Sequence, residues 1–172
     1  MSIYLIGFMG AGKTTVGRIL ADRLNQPFVD LDDYIADQAG LSVPEIFEQF
    51  GEGHFRQLEL QAIQASLDQP GVIATGGGCV ETPAVCQLLS QADRVYYLQA
   101  DFDALYQRIQ QDTETIRPLA QPGQEAATKA RYLARQARYQ EAGGQTINTD
   151  LMTPDQVAEW IINDLERRDH HG

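Results

Sequence analysis

Residues Gly7-Phe8-Met9-Gly10-Ala11-Gly12-Lys13-Thr14 match G-x-x-x-x-G-K-S/T at every fixed position. They stand between a short apolar run, Ile3-Tyr4-Leu5-Ile6, and an amphipathic stretch with Val16, Ile19, Leu20 and Leu24 on one face. That context is what the chemistry requires. Glycines let the backbone curl until successive N–H groups face one phosphate, and the N-terminus of the following helix adds partial positive charge. Lys13 then reaches the outer phosphates, and the Thr14 hydroxyl is placed to ligate Mg2+. Strand, loop and helix at this spacing rarely occur together by chance, so the motif implies a site for a nucleoside triphosphate.

Three further groups of residues narrow that reading. Asp30 and Asp32 close the run Phe28-Val29-Asp30-Leu31-Asp32, and alternation along a strand predicts that both point to one side at the sheet edge where α/β proteins bind ligands. One carboxylate there can help hold Mg2+, and the other can accept a proton from a substrate hydroxyl. The competing expectation is a helix N-cap with an acidic first turn, because Asp32 and Asp33 open a helical pattern. Thr75-Gly76-Gly77-Gly78 follows another strand, and three glycines exceed what a simple turn needs, which favours close approach of a ligand. Arg56, Arg117 and Arg135 are candidate anion clamps, since a guanidinium grips a carboxylate or phosphate with two prongs. Glu59 is one turn beyond Arg56 and able to orient it. Arg131, Arg135 and Arg138 share one helix face, so spacing leaves open which points inward.

The elements that must carry these groups alternate between short apolar runs and amphipathic stretches, the pattern of an α/β fold with a parallel sheet. Strands are expected at Ile3–Ile6, Pro27–Asp30, Val72–Thr75, Val95–Leu98 and Thr146–Asn148. A helix carrying Tyr34 and Ile35 stops near Gly40, and Ser42-Val43-Pro44-Glu45 forms a capping box with proline in the first turn. Further helices are expected over Glu52–Leu67, around Leu105, around Arg131, and after Thr153-Pro154, where Trp160 is placed in the core. The polar segment Asp112–Glu125 has no periodicity and reads as a lid, about 112–124.

The chain of 172 residues fits one domain, with hydrophobic residues at 43% and charged ones at 22%. The apolar start, Met1–Phe8, is too short and lacks the basic flank of a secretory signal, so a cytoplasmic setting is expected. Thirteen basic against 24 acidic residues give a net charge of −11, which disfavours nucleic acid and anionic membrane as partners. Cys79 and Cys86 offer neither a disulfide framework nor metal-ligand spacing, and both are expected to be buried.

Taken in order, these segments resemble the shikimate kinases almost from end to end. The resemblance is carried by Gly10–Lys13, Asp30/Asp32, Ser42–Phe47, Gly51–Arg56, Thr75–Gly78, Arg117–Leu119, Arg135 with Tyr139, and Thr149-Asp150. It implies a three-layer α/β/α fold with a five-stranded parallel sheet, a substrate-binding segment at about 32–61, and a monomer. It further implies transfer of the γ-phosphoryl of MgATP to the 3-hydroxyl of shikimate, within aromatic amino acid biosynthesis. Gly10, Ala11, Gly12, Lys13, Thr14 and Thr15 would hold ATP. Arg56, Arg135, Gly77, Gly78 and Asp32 would hold shikimate, with the arginines on its carboxylate and Asp32 as base. Asp30 would position Mg2+ through water beside Thr14, and Arg117 would reach over the phosphates. The family often carries an arginine after Thr-Asp, whereas Leu151-Met152 stands here, leaving Arg108 to stack on the adenine. Two other readings stay open: a small-molecule kinase of gluconate or nucleoside-monophosphate type, and a nucleotide sensor without catalysis.

Overall fold

The computed structural model describes residues 2–111 and 125–171. The expected lid and Arg117 lie outside the described residues. Five strands, β1 (Ser2–Ile6), β2 (Phe28–Asp30), β3 (Gly71–Ala74), β4 (Val95–Gln99) and β5 (Gln145–Asn148), form one sheet in the order β2-β3-β1-β4-β5. All four pairings are parallel, with Leu5 level with Ala74 on one side and Tyr96 on the other. The helices are α1 (Lys13–Leu24), α2 (Leu31–Ala39), α3 (Val43–Phe50), α4 (Glu52–Ser66), α5 (Pro83–Gln91), α6 (Phe102–Gln111), α7 (Glu125–Ala142) and α8 (Pro154–His171).

The sheet is covered on both faces, and two adjacent tyrosines demonstrate it. Side chains alternate across a strand, so Tyr96 and Tyr97 point to opposite faces. Tyr96 meets Trp160 of α8 edge to face at 6.3 Å, whereas Tyr97 stacks on Tyr139 of α7 at 5.1 Å. Helix α1 shares the face of α8: a Cβ on Gly17 would touch Leu5 Cδ1 at 3.3 Å, and Leu5 is level with Tyr96. The result is three layers, and it explains why β1, β3 and β4 read as unbroken apolar runs: they are buried on both sides.

Local chemistry sets the helix starts. Ser42 Oγ accepts from Glu45 N at 3.2 Å while Glu45 Oε1 accepts from Ser42 N at 3.4 Å, the reciprocal cap read from sequence. Three expectations need correction. Strand β2 ends at Asp30, whose carboxylate caps α2 by accepting from Asp33 N at 3.2 Å. Asp32 therefore sits in the first helical turn, where the helix dipole favours an acid, and does not alternate with Asp30 along a strand. Trp160 is half-buried, because it lies at the margin of the α8 stripe whose centre, Val157, Ala158, Ile161 and Leu165, is buried. Cys86 is half-buried too, on α5, which opens at Thr82-Pro83 and buries Val85 and Leu89 at helical spacing.

Candidate active site

Three chain segments end at the same edge of the sheet. Strand β1 delivers the phosphate loop, β2 delivers Asp30, and β3 delivers Thr75–Gly78. Thr75 locks its turn to β1 by donating from both its N–H and Oγ1 to Leu5 O, at 3.1 and 3.0 Å. In the phosphate loop, Gly10 and Gly12 have φ of 82° and 90°, left-handed values that a side chain disfavours, and Gly12 opens α1. Lys13 Nζ folds back on the loop, donating to Gly7 O and, at 3.1 Å, to Phe8 O. Ala11 is buried beneath the loop, and Thr15 is exposed in the first turn of α1. Arg108 Nη1 donates to Gly10 O at 3.2 Å, which sets α6 and its exposed guanidinium beside the loop.

Thr14 Oγ1 donates to Asp30 Oδ2 at 3.0 Å. Asp30 thus caps α2 and also lies against the hydroxyl of the phosphate loop. A hydroxyl and a carboxylate adjacent at the phosphate end of the loop are the hard oxygen donors that Mg2+ takes, with water and substrate phosphates completing its shell.

Two acids and two arginines surround the glycine turn. Asp32 Oδ1 and Glu59 Oε2 are, among the described residues, the buried side-chain oxygens without a hydrogen-bond partner. Both face Gly76: a Cβ there would lie 2.6 Å from Asp32 Oδ1 and 3.1 Å from Glu59 Oε2. Burial, helped by the charge of Asp30 and opposed by Lys13 and Arg56, raises the Asp32 carboxyl to about 6. Burial likewise raises Glu59 to about 7 against the pull of Arg56. Buried acceptors without donors need a ligand that supplies them, and hydroxyls do.

Arg56 Nη1 is fixed to Glu59 Oε1 at 2.7 Å, as the one-turn spacing suggested, and Nη2 to Glu52 Oε1 at 3.1 Å. Of the three arginines on one face of α7, Arg135 is the one turned inward, 4% exposed, while Arg131 is half-buried and Arg138 exposed. Arg56 and Arg135 meet over Gly78. A Cβ on Gly78 would lie 3.0 Å from Arg135 Nη2 and 3.0 Å from the Arg56 guanidinium carbon, with Arg56 Nη2 closer still. Tyr139, one turn from Arg135, donates its hydroxyl to Gly77 O and so pins the turn to α7.

Sequence reasoning passed over Glu81, whose Oε1 accepts from Arg135 Nε at 3.1 Å. The available signal was an acid in the apolar stretch directly after the glycines. Thr149 Oγ1 donates to Gln99 O at 3.1 Å, and Asp150 Oδ1 accepts from Asp101 N at 2.8 Å. Those bonds tether the loop that presents Leu151, 97% exposed. Cys79 lies wholly buried beside the turn, where burial, reinforced by Glu59, pushes its thiol up to about 12. A thiol held protonated and covered is inert. Iodoacetamide at pH 8 is expected to leave the Cys79 peptide unmodified in the native protein and to label it after unfolding, as read by mass spectrometry.

This fold and site define a phosphate-loop kinase that acts on a small molecule. The family model described as Shikimate kinase matches residues 9–166. The chain belongs to the shikimate kinase family, and its activity is that of the family, transfer of phosphate from ATP to shikimate. It is similar to the shikimate kinase of Lactococcus lactis subsp. cremoris strain MG1363, 40% identical over 161 residues that cover 94% of this chain and 96% of that one. The shikimate kinase of Enterococcus faecalis is 39% identical over 165 residues, covering 96% and 98%. Among solved structures, the Acinetobacter baumannii shikimate kinase in complex with shikimate superposes with a TM-score of 0.87 at 34% identity, covering 97% of this chain and 93% of that one. The Aquifex aeolicus shikimate kinase gives 0.84 at 31%, covering all of both chains. No helix among the described residues is long and apolar enough to cross a membrane.

Proposed function

We propose that the transfer takes place over the Thr75–Gly78 turn, from the γ-phosphate of ATP to the 3-hydroxyl of shikimate, with Asp32 as the base. The observation that carries this reading is the pair of orphaned, buried acceptors, Asp32 Oδ1 and Glu59 Oε2, next to two guanidiniums that converge on Gly78. A ring bearing hydroxyls at one end and a carboxylate at the other satisfies both sets at once. Arg56 and Arg135 hold the carboxylate, and Gly77 and Gly78 let the ring lie against bare backbone. Asp32 accepts the hydroxyl proton as that oxygen forms its bond to phosphorus and the bridging P–O bond to ADP breaks. With its carboxyl raised to about 6, Asp32 is ionised at neutral pH and a better proton acceptor than an ordinary aspartate.

Lys13 and the N–H groups of Gly10–Thr14 with Thr15 take the phosphates and stabilise the charge that develops on them. Arg117 completes that charge clamp, and Arg108 with Leu151 covers the adenine. Thr14, and Asp30 through water, would hold Mg2+, which would neutralise phosphate charge when bound. The enzyme works as a monomer in the cytoplasm on small molecules. A net charge of −11 supports small-molecule partners over nucleic acid, because 24 acidic against 13 basic residues leave the molecule as a whole repulsive to polyanions. A coupled ADP-release assay tests the proposal. Release is expected to rise on adding shikimate, to vanish on chelating Mg2+, and to be absent with gluconate or a nucleoside monophosphate. ADP release that ignores shikimate would remove it.

A further inference from the structure

Glu81 stands between the two arginines proposed to hold the substrate carboxylate. Its Oε1 accepts from Arg135 Nε at 3.1 Å, and the same carboxylate lies 3.8 Å from Arg131 Nη1 and 3.9 Å from Arg56 Nη2. The contact engages the side of the Arg135 guanidinium. Its Nη1 and Nη2 are turned to the glycine turn, 3.7 Å from where a Gly77 Cβ would be and 3.0 Å from that of Gly78. Arg135 is thereby held in place while its terminal nitrogens stay directed at the ligand position.

We propose that Glu81 is a positioning and specificity-determining residue for the carboxylate pocket: a resident counter-ion that fixes the paired arginines and tunes the pocket to a monoanion in preference to a dianion. The proposal rests on the reading of Arg56 and Arg135 as the carboxylate clamp. Two guanidiniums converging on one glycine carbon repel each other, and without compensation their field would draw any phosphate or sulfate. Exposed Glu52 and buried Glu59 offset Arg56, and Glu81 offsets the pair from the side. A fixed negative charge acts on a dianion with twice the energy it has on a monoanion, so the fold-change for a dianion is the square of that for a monoanion. Glu81 also keeps its charge. Burial by itself would raise its carboxyl, but the hydrogen bond and charge of Arg135, with Arg131 and Arg56, outweigh burial and hold it below the usual range. It also lines, with Pro83, Cys86 and Arg138, an open groove of about 470 Å³, and its side chain is 26% exposed.

Glu81→Gln is isosteric, retains an acceptor for Arg135 Nε and removes the charge. At saturating MgATP its KM for shikimate is expected to fall about threefold and the competitive inhibition constant of sulfate against shikimate about tenfold, with kcat within about twofold of wild type. Glu81→Asp, which keeps the charge, is expected to restore wild-type discrimination between the two anions. A rise in KM for shikimate, or equal factors for both anions, would mark Glu81 as a structural strut and overturn the proposal. Should the wild-type protein fail to phosphorylate shikimate at all, the function reading fails instead. Calorimetric titration of sulfate into the MgADP-loaded protein then still decides the role of Glu81: about tenfold tighter binding by Glu81→Gln supports it, and unchanged binding overturns it.

Discussion

Asp32→Asn is expected to yield a protein that is more heat-resistant than the wild type and about 10²- to 10⁴-fold slower in kcat with shikimate. Both effects have one cause. The Asp32 carboxyl is raised from 3.8 to about 6 because burial disfavours its charged form and Asp30 adds to the penalty. The folded protein therefore binds this proton more tightly than the unfolded chain. Its contribution to stability is complete below about pH 4, declines as pH rises, and is gone above about pH 6. At pH 7.5 the native state carries a charge that it holds poorly, and Asn removes it without changing the shape. A gain of ~2 kcal/mol follows from the size of the shift, discounted for the solvent that still reaches the side chain. The gap in Tm between wild type and variant is expected at pH 7.5 and to close toward pH 4. In the wild type, kcat/KM is expected to fall tenfold per pH unit below about 6, where the base becomes protonated. Full kcat in Asp32→Asn would end the assignment of Asp32 as base. An unchanged Tm would show that its burial carries no penalty.

Gly78→Ala is expected to lower kcat/KM for shikimate by about 10²-fold while leaving the KM for ATP and the Tm close to wild type. The backbone at Gly78, φ −96° and ψ 6°, is open to alanine, so the fold tolerates the change. The new methyl group meets the ends of two flexible side chains, Arg56 and Arg135, and not backbone. Those ends must shift within their ion pairs to Glu52, Glu59 and Glu81 to make room, and they are the groups proposed to converge on one carboxylate. A clamp spread by a methyl group binds the substrate out of line with the γ-phosphate, which lowers kcat as well as raising KM. A kcat/KM within threefold of wild type would show that the substrate carboxylate lies elsewhere.

How much of this site is legible in the sequence depends on how far apart its parts lie along the chain. The phosphate loop could be read whole, because its function rests on consecutive backbone N–H groups and one helix start. The capping box at Ser42 and the orientation of Arg56 by Glu59 were equally legible, since both are contacts within one helical turn. Asp30 and Asp32 were read to the right place by a wrong geometry. The chain turns from strand to helix between them, and the cap at Asp30, not strand alternation, brings Asp32 to the sheet edge. Trp160 stands at the margin of the buried stripe of α8, and periodicity gives the direction of such a stripe but not its width.

The sequence by itself determined the parallel α/β architecture and the nucleotide loop, which follow from short-range rules of backbone geometry, capping and hydrophobic period. It marked Asp32, Arg56 and Arg135 as candidates to hold a substrate, a role that the resemblance to the shikimate kinases implies. Tertiary structure decided which arginine of α7 faces inward, that Glu81 lies beside it, and that Asp32 and Glu59 both face Gly76. Those facts depend on how α2, α4 and α7 pack around the edge of the sheet. Helix rotation and approach are set by the fit of many side chains at once, and no local pattern encodes that fit.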